Sequence, residues 1–137
     1  MAYLEMTTKE FAKVVKANIS NDIKKITGIP NGFSFEAEID HGFPIIPKTI
    51  PFLVEFIDFS KGQLTFELNI NKPLKLVTAK IISFLVKAFE EEAPEGVYFE
   101  KNYIKIKLDE VIDKESFDFT ITDLTIENSI VKINVRL

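Results

Sequence analysis

Residues 73–92 constrain this chain more than any other stretch. Wound at about 100° per residue, Leu74, Val77, Ile81, Ile82, Phe84, Leu85, Val86, Ala88 and Phe89 cover roughly 200° of circumference, well beyond the apolar stripe of an ordinary surface helix. Only Lys80, Ser83, Lys87, Glu90 and Glu91 form a wet stripe, and Leu76 interrupts it in the first turn. A helix with that distribution is expected to be covered on most sides, lying across or inside a sheet. Its longest apolar run, Ile81 to Val86 with Ser83 inside it, falls far short of a bilayer span, so no transmembrane segment is expected.

The flanking segments supply what would cover it. Thr7 and Glu10 fit a Thr-x-x-Glu capping box, with Met6 placed to staple onto Phe11 one turn later. Gly28, followed by Ile29 and Pro30, has the order of a glycine C-cap and a proline stop. Between them Phe11, Val14, Val15, Ile19, Ile23 and Ile26 predict an amphipathic helix over residues 7–28, whose other face carries Lys9, Lys13, Lys16 and Lys24. Its apolar face is expected on a sheet; peripheral contact with an anionic membrane surface is the other use of such a face.

From Phe33 the period becomes two, with Phe33, Phe35, Ala37 and Ile39 alternating with polar residues. Three prolines mark residues 42–51 as an edge or a loop. Strands are expected at 52–59 and 64–70 around Ser60-Lys61-Gly62-Gln63, at 97–100 and 103–108, and at 117–126 and 130–137, with a bulge near Asp123 and a helical turn over 109–113. The order helix, three strands, helix, four strands predicts a single α+β domain over residues 1–137: a mostly antiparallel curved sheet packed on a central apolar helix, plus an N-terminal amphipathic helix.

The chain's 13 Phe, 3 Tyr and no Trp bring ring area almost free of polar atoms, which predicts a dry aromatic interior. A net charge of -4 argues against nucleic acid as a partner. Without Cys there is no disulfide, thiol chemistry or zinc ribbon, and a cytoplasmic setting is expected. The first ten residues have no apolar core of a secretory signal. His41, the single histidine, stands beside Asp40 and Gly42 and is expected in a loop; no Gly-x-Ser-x-Gly elbow or glycine-rich phosphate cradle is present. Glu90, Glu91 and Glu92 point in three directions on a helix and make no carboxylate cage, so neither a metal nor a cofactor is expected. Lys72 and Lys75 at the start of the central helix and the glutamates at its end oppose the macrodipole, and Lys101, Lys105 and Lys107 are expected to answer the glutamates.

Two segments echo each other: a strand, Asp58, the turn at Gly62 and a returning strand, then a strand, Asp123, the turn at Asn128 and a returning strand. With the helix at 73–92 between them, this arrangement resembles the tubular lipid-binding superfamily. The resemblance implies a curved sheet wrapped round an apolar helix and a lipid as ligand, and it assigns no site residue. The leading expectation is therefore a non-enzymatic domain holding a lipid or other apolar ligand between the central helix and the sheet through Phe35, Phe56, Phe66, Phe84, Phe89 and Phe119. The alternative is an interaction or assembly module with a filled core, joining a protein partner or a second copy through the loop at 43–52 or a strand edge. An enzyme of unknown class ranks third.

Overall fold

The computed structural model describes residues 2–17, 23–40, 42–43, 46–71, 78–111 and 119–137. The chain is an α+β fold; among the described residues nine strands form two antiparallel sheets and three helices connect or cover them. Strand β1 (Ala2–Thr7) leads into helix α1 (Thr8–Ala17). Strands β2 (Ile23–Ile29), β3 (Gly32–Glu38), β4 (Thr49–Ser60) and β5 (Gln63–Ile70) precede helix α2 (Thr78–Glu92). Strands β6 (Val97–Glu100) and β7 (Tyr103–Lys107), the short helix α3 (Leu108–Val111) and the hairpin of β8 (Thr120–Glu127) and β9 (Ile130–Arg136) complete the chain.

The larger sheet runs β2-β3-β4-β5-β7-β6 and the smaller β1-β9-β8. Alternation directs Phe35, Ala37, Ile39, Ile50, Phe52, Val54, Leu64, Phe66, Leu68 and Ile70 to one face of the larger sheet. Ile81, Ile82, Leu85 and Val86 of α2 and Leu124, Ile126 and Val131 of the smaller sheet join the same core. Phe52, Leu68 and Ile81 are sealed from water, each contributing about 1.5–3 kcal/mol of burial. At the junction of the sheets three backbone bonds meet: the Thr8 amide donates to Ser129 O, the Ser129 amide to Pro30 O, and the Phe56 amide to Asn31 O.

The expected α2 narrows. It is described from Thr78, with residues 72–77 outside the described segments, and its buried stripe is Ile81, Ile82, Leu85 and Val86, with Phe89 half-buried. Phe84, roughly 130° round the wheel from the centre of that stripe, is 41% exposed. One face of α2 meets one sheet, so the helix is not wrapped.

The expected helix over residues 7–28 is two elements. Its start is as predicted: the Thr7 amide and hydroxyl donate to Glu10 Oε1 at 3.3 and 3.0 Å, and the Glu10 amide returns a bond to Thr7 Oγ1 at 3.1 Å. Ile23 and Ile26, however, belong to β2, where a bulge between Lys24 and Thr27 places Lys25 at φ 52. The extra residue leaves two isoleucines three apart on one face of a strand, a spacing that imitates a helix. Gly28 caps nothing. A Cβ there would lie 2.4 Å from the Thr8 carbonyl carbon, so the glycine admits the start of α1 against β2.

The other turns and bulges lie where punctuation placed them. Lys61 and Gly62, and Asn128 and Ser129, hold positive φ in two-residue turns whose twist suits antiparallel hairpins. The bulge expected near Asp123 falls between Ile121 and Asp123, and β4 carries a matching one between Phe56 and Asp58. The echoing hairpins thus share a bulge just ahead of their Asp, although they lie in different sheets. Thr49–Ser60 extends the expected strand back through Pro51, which is tolerated because its carbonyl accepts from Asn71. Nitrogen and oxygen of one strand residue point the same way, so its missing donor faces the space just past the end of β5.

Among the described residues no ion pair joins the lysines of the β6–β7 hairpin to the helix glutamates, and the Glu92 side chain lies outside them. Lys105 Nζ bonds Glu100 Oε2 at 2.6 Å, and Lys107 Nζ stands 5.0 Å from the centre of the Tyr98 ring, whose hydroxyl donates to Glu110 at 3.0 Å. The Lys105 bond holds the Glu100 carboxyl below its ordinary value.

Three outcomes follow. Gly28→Ala and Gly32→Ala, the latter bringing a Cβ within 2.0 Å of Val54 O, will each lower unfolding free energy by about 2 kcal/mol or more in urea titrations. Thr7→Ala will cost about 1 kcal/mol by the same measurement. In an NMR titration the Glu100 carboxylate will protonate at lower pH than in Lys105→Ala; a depressed carboxylate stabilises above its unfolded pKa, and that contribution disappears as pH falls through the folded one.

Candidate functional site

The two helices do not cover the inner face of the larger sheet completely. Between them lies a cavity of about 1060 Å³. Its floor is the inward row of the sheet: Ile23 from β2, Phe33, Phe35 and Ala37 from β3, Val54 from β4, Val97 and Phe99 from β6 and Ile104 from β7. Val15 of α1 closes one side, and Leu85, Ala88 and Phe89 of α2 close the other, with Ala93 and Pro94 beyond the helix end.

Every polar residue in this lining belongs to a rim. Lys24, Glu38, Asp40, Lys48 and Glu91 border the cavity and are exposed. No ion pair joins them among the described residues. The site is an apolar hole with a charged mouth of mixed sign.

Its size matters energetically. A sealed dry void of this volume would cost on the order of 25 kcal/mol at about 24 cal/mol per Å³, more than the roughly 5–15 kcal/mol that holds a whole domain folded. The mouth is open to solvent, so water fills the space and that cost does not arise; an apolar ligand entering there would displace that water. Small-molecule pockets span roughly 300–1,000 Å³, so the volume suits an organic ligand of substantial size.

Aromatic rings form the wall and its backing. Phe35 stacks on Phe52 with centroids 5.4 Å apart and leans on Phe89 at 6.2 Å, which continues to Phe99 at 6.1 Å. In the other direction Phe35 meets Phe33 at 6.4 Å, and Phe33 meets Phe11 of α1 at 6.0 Å and Phe66 at 6.2 Å. Phe66 in turn packs on Phe56 at 6.3 Å.

Of the six rings singled out from the sequence, Phe35 and Phe89 stand in the cavity wall, and Phe66 and Phe56 lie behind it through Phe33. The other two are elsewhere. Phe84 faces solvent on α2, and Phe119 lines a separate pocket of about 160 Å³ with Gly62, Leu108 and Ile121. Phe33 and Phe99 are wall residues that the sequence reading passed over. Phe33 shares the period-two row of Phe35, and Phe99 sits two residues from Val97, so strand alternation alone was the signal for both.

The remaining candidates resolve as follows. His41 lies outside the described residues, as do Ile19 and the lysines at 72 and 75. Asp123 is exposed on β8. No group of His, Asp and Glu among the described residues could hold a metal ion, and no described helix is long and apolar enough to cross a membrane. In the loop at 43–52, Phe43 and Ile46 pack half-buried on the core and Ile50 and Phe52 are buried in β4, so these four residues face inward. On α1, Ala12 is buried and Phe11 is engaged with Phe33, while Val14 is exposed. No family model, characterised protein or solved structure matches this chain.

Chemical denaturation separates wall from surface. Phe35→Ala will cost about 3–5 kcal/mol, whereas Phe84→Ala will stay within about 0.5 kcal/mol.

Proposed function

We propose that the domain is a non-enzymatic binder of a lipid or another largely apolar small molecule, held between α2 and the Phe-rich face of the larger sheet. The observation that carries this reading is the coincidence of a large apolar cavity with a charged rim confined to its mouth. Such a site suits a ligand with a long apolar body and a polar end left in water. Ten methylenes moved from water into these walls would gain about 8 kcal/mol, which corresponds to micromolar binding before the cost of ordering the chain. Among the described residues the lining contains no hydroxyl, imidazole or thiol, and its ionisable groups, Lys24, Glu38, Asp40, Lys48 and Glu91, stand at the mouth. The sequence-level likeness to tubular lipid-binding proteins points in the same direction and belongs to this proposal.

Native mass spectrometry of gently purified protein, together with displacement of a fluorescent fatty acid, tests the reading. The expected result is a co-purified or titratable ligand whose affinity falls at least tenfold in Ala37→Leu and Ala88→Phe, two substitutions that place bulk in the cavity. Both variants should keep near-native stability, because space exists for the added atoms. Absence of probe binding, or a loss of about 1–3 kcal/mol in Ala37→Leu as overpacking would give, removes the proposal.

A further inference from the structure

Among the described residues the two sheets present four outer strands, and three of them carry features that discourage pairing with another chain. Strand β2 has a bulge and adjacent Lys24 and Lys25, β6 is only four residues long, and β8 is bulged between Ile121 and Asp123 and packs beside β4. Strand β1 has none of these. Its six residues pair with β9 without a break in register, and they include no proline, no lysine and a single charge, Glu5.

The free edge of β1 can be read from the hydrogen bonds. Thr8 donates its amide to Ser129 O in register with the β1–β9 ladder, so the even-numbered residues of β1 direct their backbone groups at β9. Tyr3, Glu5 and Thr7 therefore point theirs outward. The Thr7 amide agrees, since it bonds the Glu10 side chain rather than β9. Tyr3 and Leu4, on opposite faces of the strand, are 53% and 54% exposed.

We infer that β1 pairs antiparallel with β1 of a second copy of this chain, about a two-fold axis at Leu4, making one continuous sheet of both small sheets. In this register Tyr3 exchanges both backbone bonds with the partner's Glu5, and Leu4 meets the partner's Leu4 in a close non-hydrogen-bonded pair. Ala2 stands opposite the partner's Met6. The Tyr3 hydroxyl, which donates to Glu5 Oε2 at 2.6 Å within one chain, has the partner's Glu5 within the same reach. Moving the axis to Glu5 would set two carboxylates face to face, and moving it to Met6 would set Tyr3 opposite Lys9 of the partner's α1, outside its strand. The self-complementary register is the one centred on Leu4.

Sedimentation velocity over a concentration series tests this with two variants. The wild-type chain is expected to dimerise reversibly. Glu5→Pro removes a donor that faces only the partner, so it should give a monomer with unchanged circular dichroism, as proline is accepted on a free edge. Because the chain has no cysteine, Leu4→Cys provides a single thiol, and mild oxidation should link it to the partner's copy, as opposed residues of a non-hydrogen-bonded pair lie within disulfide range. Lys132→Cys, exposed on β9, should not link at the same rate. A wild-type monomer at all concentrations overturns the inference. So does a dimer that persists in Glu5→Pro, or one in which Leu4→Cys links no faster than Lys132→Cys.

Discussion

The fold depends on how the apolar face of a six-stranded sheet is covered. Strands spaced about 4.8 Å apart make that face roughly 25–30 Å wide, and a helix is only about 10 Å across, so two helices cannot close it. Helix α1 lies over β2 and β3, and α2 over β5 and β6. The smaller sheet adds Leu124, Ile126 and Val131 to the same core. What the helices and the smaller sheet do not reach stays uncovered, and the cavity lies over that part of the face. Its existence follows from the ratio of sheet to helix and does not require an unusual side chain.

The rings keep that arrangement from collapsing. Phe33 and Phe35 occupy successive inward positions on β3, and through them one chain of contacts runs from Phe11 on α1 to Phe89 on α2. Each helix is thus seated on the same strand by an aromatic contact of about 0.5–1.5 kcal/mol beyond its buried area. Ala37 and Ala88 both stand in the wall, where larger side chains would reach into the space. Large residues at the seats and small ones between them hold the helices apart.

Much of this was legible beforehand, and the failures have a common origin. Alternation at Phe33 to Ile39, the glycine and asparagine turns and the Thr7–Glu10 box are local signals, and local structure follows them. The β2 region misled because its bulge makes Ile23 and Ile26 look helical, and Gly28 misled because its reason is the backbone of Thr8, distant in kind from any cap. Strand β1 was missed since six residues pairing with the far end of the chain leave no local mark beyond a brief alternation. For the site, Phe35 and Phe89 were identifiable by type, but type alone could not distinguish them from Phe84. That distinction depends on which arc of α2 meets the sheet, a tertiary fact.

The cavity mouth and the smaller sheet lie toward opposite ends of β3. Glu38 and Asp40 border the mouth, while the turn ahead of Gly32 is bonded to Ser129 of the smaller sheet. Six residues of extended chain separate Gly32 from Glu38, or about 20 Å. A second copy paired through β1 would extend the smaller sheet away from its junction with the larger one and make no demand on Lys24, Lys48 or Glu91. Under the two proposals, ligand entry and self-association would use different groups, and neither would need the other. Coupling between them would have to pass through the Thr8, Ser129 and Pro30 contacts, where Gly28 and Gly32 leave almost no room for the backbone to shift. A junction that tight transmits position rigidly and has no second arrangement to offer, so the physical expectation is two independent mouths on one assembly.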